Sequence, residues 1–85
     1  MKKARRKISP RSASAVDSYI GVRMREQRLA LEISQVQLGK KLGVSFQQIQ
    51  KYESGKNRVS AARLFVICEI LDVSLASMFE RKLKD

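Results

Sequence analysis

From Asp17 onward the apolar residues recur at helical spacing. Ile20, Met24 and Leu31 fall near one face of a helix that the period carries to about Leu31, while Arg23, Arg25 and Glu26 take other faces. Ser34-Gln35-Val36-Gln37 has the spacing of a capping box, in which a serine hydroxyl accepts the third helical N–H and a glutamine reaches back. A short helix is expected there, with Val36, Leu38 and Leu42 as its apolar positions and Gly43 at its end. Ser45-Phe46-Gln47-Gln48 repeats the box, and the helix it opens is expected to reach about Ser54, with Gly55 as a left-handed cap. Ser60 opens a fourth helix with Leu64, Ile67, Cys68 and Leu71 inside, and Ser74 a fifth with Leu75, Met78, Phe79 and Leu83 at helical spacing. No segment alternates with period two for long enough to make a strand. The expectation is an all-α body of five short helices over residues 17–85.

Residues 1–16 behave differently. They show no apolar period, and Pro10 stands among serine, arginine and alanine. Like charges repel and nothing in the segment offsets the entropy of ordering it, so these residues are expected to form a disordered basic arm.

Charge sharpens that division. The chain has 18 lysines and arginines against 8 acidic residues, a net charge of +10. Six of the basic residues (Lys2, Lys3, Arg5, Arg6, Lys7 and Arg11) lie in the arm, which holds no acid, so the body carries only +4. A body this short is one domain with a small core. One cysteine excludes an intrachain disulfide, and the absence of histidine removes ordinary zinc sites and histidine-based triads. No enzyme and no cofactor are expected. The longest apolar run, Leu64 to Cys68, is far too short to span a membrane, and the basic start is not followed by an apolar stretch as in a secretory signal. A cytoplasmic binding module with an anionic partner is what the composition allows.

Spacing narrows the partner. Two short helices that cross steeply need a small residue at the crossing, a glycine in the turn and apolar residues on their inner faces. Leu38, Gly39, Leu42, Gly43, Val44, Ile49 and Tyr52 fill those slots in order. In the second helix Ile49 and Tyr52 face inward, which leaves Gln47, Gln50 and Lys51 on the outward face at i, i+3 and i+4. Glutamine pairs with an adenine edge through N6 and N7, and lysine donates to guanine or to a phosphate. Gln48, about 100° round from Gln47, is open between capping and base contact. Phe46 is open between the core and a thymine methyl. Met78 and Phe79 are open between finishing the core and forming a dimer seam, and Cys68, on the apolar stripe, reads as a small core residue.

These residues carry a resemblance. Ile20-Gly21, Arg23-Met24-Arg25, Ser34-Gln35, Leu38-Gly39, Leu42-Gly43-Val44-Ser45, Ile49, Glu53-Ser54-Gly55 and Leu71-Asp72-Val73-Ser74-Leu75 make residues 17–79 resemble the Xre/Cro–CI, or lambda-repressor-like, helix-turn-helix family of bacterial and phage regulators. The resemblance implies that Gln35 holds a DNA phosphate, and that Ser45, Phe46, Gln47, Gln50 and Lys51 face base edges or flanking phosphates. It places Lys56, Asn57 and Arg58 in a loop along the DNA backbone, and Arg28 and Glu53 as an internal ion pair. Three positions depart from the pattern. Glu32 and Asp72 stand in slots that favour a left-handed conformation, which costs glutamate of the order of 1 kcal/mol, and Gln27 replaces a residue that is often apolar.

The function expected from the sequence is a sequence-specific regulator of transcription, a repressor, that binds double-stranded DNA. One recognition helix reads few base pairs, so a homodimer on an inverted repeat is expected. Two other readings differ in class. One is an antitoxin-like protein-interaction module that also binds its own promoter; the other is an RNA or membrane-surface binder driven by the arm. The glutamine face has no purpose in the last of these.

Overall fold

The computed structural model describes residues 10–80, and among these there are four α-helices and no strand. Helix α1 spans Pro10–Ala30, α2 Gln35–Leu42, α3 Phe46–Glu53 and α4 Ala61–Leu71, and a single 3-10 helix follows at Leu75–Phe79.

Two expectations need correction. Residues 10–16, assigned to a disordered arm, form the first two turns of α1. Pro10 does not oppose this, because its fixed φ and missing N–H are tolerated in the first turn of a helix. The segment is also tied down just beyond. Arg58 Nε donates to Asp17 Oδ2 at 2.9 Å, and Ser18 sits so close to Gly55 that a Cβ there would lie 2.7 Å from the Ser18 hydroxyl. Apolar period alone reports neither effect. Residues 1–9 lie outside the described residues.

The second correction is the fifth helix, a five-residue 3-10 segment rather than an α-helix. Ser74 does cap it, accepting from Ser77 N at 3.2 Å. Leu83 lies outside the described residues.

Every element contributes to one core. Ile20 and Met24 from α1, Leu38 from α2, Ile49 and Tyr52 from α3, Leu64, Ile67, Cys68 and Leu71 from α4, and Met78 from the 3-10 helix are buried together. Burial raises the pKa of the Cys68 thiol, which keeps it protonated and inert as a packing residue. Met78 closes the core while its neighbour Phe79 is exposed. Leu31, expected near the same face as Ile20 and Met24, is exposed, and so are Val36 and Leu75. On α1 the inward place one turn after Met24 belongs to Arg28, which is buried.

The termini follow the capping chemistry. Ser34 Oγ accepts from Gln37 N at 3.0 Å and Gln37 Oε1 accepts from Ser34 N at 2.7 Å, a complete capping box. Ser45 and Ser60 each accept one backbone N–H from the residue three further on. Glu32 and Asp72 both adopt left-handed backbone, with φ of 59° and 60°. Arg23 Nε donates to the Ser77 carbonyl at 2.9 Å and so fastens the last segment to α1.

Candidate nucleic-acid interface

The platform for the site is the crossing of α2 and α3. Gly39 makes the approach close enough, since a Cβ there would lie 2.6 Å from the Val44 carbonyl oxygen. Its own carbonyl accepts from Gly43 N at 2.7 Å and Val44 N at 2.9 Å, which closes α2 and turns the chain. Gly43 reaches φ 84°, a conformation that L side chains disfavour, and space beside it is open. One glycine is therefore required by contact and the other by backbone angle.

Arg28 then fixes the depth of α3. Its Nε donates to Glu53 Oε2 at 2.7 Å, its Nη2 to Glu53 Oε1 at 3.1 Å and its Nη1 to the Ile33 carbonyl at 2.8 Å. One guanidinium thereby holds the end of α3 and the loop before α2. The pair expected from the sequence is present and buried, and no buried side-chain polar atom among the described residues lacks a partner.

On this platform α3 buries Ile49 and Tyr52 and exposes Gln47, Gln50 and Lys51. A cleft of about 610 Å³ opens against that face, lined by Arg25, Gln35, Gln47, Gln50, Lys51, Glu53, Ser54 and Lys56. Three of its side chains are cationic, and its one carboxylate, Glu53, already faces Arg28. An anion entering the cleft meets a net positive field with glutamine amides on one wall.

The expected contact residues divide into two groups. Gln47, Gln50, Lys51 and Lys56 have side chains with no hydrogen bond or ion pair among the described residues, and they converge on the cleft. Phe46 is exposed, so it is not core. The others have partners. Gln35 Nε2 donates to Glu53 Oε1 at 3.0 Å. A carboxylate only accepts, so the amide nitrogen of Gln35 must face it, and its second N–H remains available. Ser45 Oγ accepts from Gln48 N at 3.2 Å as the cap of α3.

Gln48 does not complete the second capping box. Its Nε2 donates to Asn57 Oδ1 at 3.1 Å, while Asn57 Nδ2 donates to the Lys56 carbonyl at 3.2 Å and Asn57 N to the Lys51 carbonyl at 3.1 Å. Gln48 and Asn57 thus brace the following loop against α3. Arg58, expected along the DNA backbone, points its guanidinium to Asp17.

Sequence reasoning missed Gly21 and Arg25 as parts of the site. A Cβ on Gly21 would lie 2.5 Å from the carbonyl oxygens of both Tyr52 and Glu53, so α1 rests directly on the last turn of α3. Arg25 lies one turn further along the same face of α1 and lines the cleft. The available signal was the i, i+4, i+7 spacing of Gly21, Arg25 and Arg28, but only the packing shows what that face touches.

A close-crossed helix pair with a polar, partner-free outer face beside a basic cleft defines a helix-turn-helix protein. The chain belongs to the helix-turn-helix family, of the Xre/Cro–CI type: the family model matches residues 24–77. A transcriptional regulator in the ATPase CF(0) region of Rhodospirillum rubrum is 48% identical over 69 residues, covering 81% of this chain and 64% of that protein. An HTH-type transcriptional regulator of Sinorhizobium fredii is 50% identical over 68 residues, covering 80% of this chain and 48% of that protein. The chain thus spans about half to two thirds of the length of these relatives. Among solved structures, the restriction-modification controller protein C.AhdI from Aeromonas hydrophila superimposes with a TM-score of 0.72 at 28% identity, covering 76% of this chain and 98% of that one. Among the described residues no helix is long and apolar enough to cross a membrane.

Proposed function

We propose that the protein is a cytoplasmic, sequence-specific DNA-binding regulator of transcription that represses by occupying a promoter. The observation that carries this reading is the outer face of α3. Gln47, Gln50 and Lys51 are exposed side by side without internal partners, on a helix whose position is held by Gly21, Gly39 and the Arg28–Glu53 pair. Unpartnered amides on a rigid helix suit the edges of bases in a major groove, where a bidentate pair discriminates by about 1–3 kcal/mol. Gln35 and Lys56 serve the phosphates beside that groove. The relatives described as transcriptional regulators support the reading.

The active form in this reading is a homodimer on an inverted repeat. One α3 reads too few base pairs to select a site in a genome, and a second copy doubles the sequence read. Phe65 and Val66 on α4, with Leu75 and Phe79 on the 3-10 helix, are large apolar side chains left exposed on elements other than the one that carries the glutamine face. They offer a surface for the second copy.

Selection of bound duplexes from a random pool tests the reading. The expected result is a palindromic motif whose half-sites lie about 10–10.5 bp apart, or a multiple of that. Recovery of no motif, or equal retention of single-stranded and duplex DNA, overturns it.

A further inference from the structure

We propose that Arg25, outside the two helices of the motif, grips a backbone phosphate of the bound duplex and so clamps the DNA against α3 from the side of α1. This assignment rests on the reading of the cleft as the DNA-binding face.

The register of α1 brings it there. Gly21, Arg25 and Arg28 lie at i, i+4 and i+7 and share one face of the helix. Gly21 presses on the carbonyls of Tyr52 and Glu53, and Arg28 turns inward to the Glu53 carboxylate. Arg25, between these two contacts, is exposed and opens into the cleft.

Its neighbours on the helix are engaged and it is not. Arg23 pairs with Glu26 at 2.8 Å and donates to the Ser77 carbonyl, and Arg28 has three internal bonds. Arg25 has no hydrogen bond or ion pair among the described residues. It faces the same space as Lys51 and Lys56, and the one carboxylate there accepts from Arg28 and Gln35. Three unneutralised cations around one cleft repel each other in the free protein, and an anion relieves that repulsion. A guanidinium matches two phosphate oxygens at once, which an ammonium does not.

Position favours phosphate over base. The first turns of a recognition helix meet the base edges, whereas α1 crosses the last turn of α3, where Gly21 touches Tyr52 and Glu53. A side chain arising beside that crossing meets the strand that borders the groove.

The test is a salt titration of binding by the full chain, using fluorescence anisotropy on the selected operator and on a random duplex. Arg25→Gln is expected to weaken both DNAs by a similar factor, about tenfold at low salt. It should also flatten the slope of log K against log[salt] by about 0.9. Arg25→Lys should keep the slope. Lys40→Gln, which removes an exposed charge that does not line the cleft, should change the slope by much less. The thermal midpoint of Arg25→Gln should match the parent, since no internal bond is lost. An unchanged slope in Arg25→Gln overturns the assignment while leaving the DNA reading intact, and so does a slope change equal to that of Lys40→Gln. A selective loss on operator makes Arg25 a base reader and overturns it too. Absence of duplex binding by the parent chain removes the DNA reading and this assignment with it.

Discussion

Arg28 and Glu53 meet through two parallel contacts, Nε to Oε2 at 2.7 Å and Nη2 to Oε1 at 3.1 Å, both side chains being almost wholly removed from solvent. The two residues lie 25 positions apart, and together they lock α1 to the end of α3. Glu53 Oε1 also accepts from Gln35 Nε2, so one carboxylate holds α3 and orients the amide beside it.

Removing one member of such a pair strands the other charge in a dry site, at about 3–5 kcal/mol. A domain of this size has about 5 kcal/mol in total. Glu53→Ala is therefore expected to populate the unfolded state at room temperature, which circular dichroism in a urea series will show. DNA binding is lost with the fold. A Glu53→Ala variant with parental stability would mean the pair contributes nothing.

Gln47→Ala and Gln35→Ala are expected to separate reading from holding. Loss of Gln47 should cost operator binding about 1–3 kcal/mol while random duplex is bound as before. Loss of Gln35 should weaken both alike. Competition binding against random DNA measures the ratio, and an unchanged ratio in the Gln47 variant refutes its role as a reader.

The Gln48–Asn57 bond couples α3 to the loop that follows it. Both side chains lie near solvent, so the bond is expected to stabilise the fold modestly. A double-mutant cycle with Gln48→Ala and Asn57→Ala should give a coupling energy of about 0.5–1 kcal/mol in urea unfolding. Strict additivity would show that the two side chains act independently.

Three glycines should respond differently to alanine. At Gly21 and Gly39 the new Cβ would meet backbone oxygens at 2.5 and 2.6 Å, and the helices must move apart. Each substitution is expected to cost about 1–3 kcal/mol. At Gly43 the Cβ meets nothing, and the cost is only that of the left-handed backbone, about 1 kcal/mol. Gly43→Asn should recover part of it, because asparagine tolerates that region. Unfolding midpoints order the variants; a neutral Gly21→Ala contradicts the packing described.

Residues 1–9 hold Lys2, Lys3, Arg5, Arg6 and Lys7 and no acid. Deleting them is expected to lower affinity for every duplex and to flatten the salt slope by about 0.9 for each phosphate they neutralise. The ratio of operator to random binding should be unchanged. An unchanged slope would show that these charges do not touch DNA.

Much of the site was legible before folding was considered. Ser34, Ser45, Ser60 and Ser74 mark helix starts because their hydroxyls serve N–H groups within the next three residues, a local interaction. Gly39 and Gly43 mark the crossing because each demand there concerns one residue and its immediate turn. The inward pairing of Ile49 with Tyr52 follows from helical period, and it leaves Gln47, Gln50 and Lys51 outside.

What stayed hidden depends on residues far apart in the chain. Leu31, which the period places near the face of Ile20 and Met24, is exposed, and the buried place one turn after Met24 goes to Arg28, which reaches Glu53. Gln48, which the sequence leaves open between capping and base contact, donates to Asn57, nine residues further on. Residues 10–16 belong to α1 although they lack an apolar period, and Asp17 just beyond them meets Arg58.

The sequence by itself determined α2, α3 and α4, the close α2–α3 crossing and the amides that face outward, all of which rest on contacts within a few residues. Only the tertiary structure decided how closely α1 approaches α3. That approach turns on one missing side chain, Gly21, against two backbone carbonyls some thirty residues away, and it is what sets Arg25 beside the cleft.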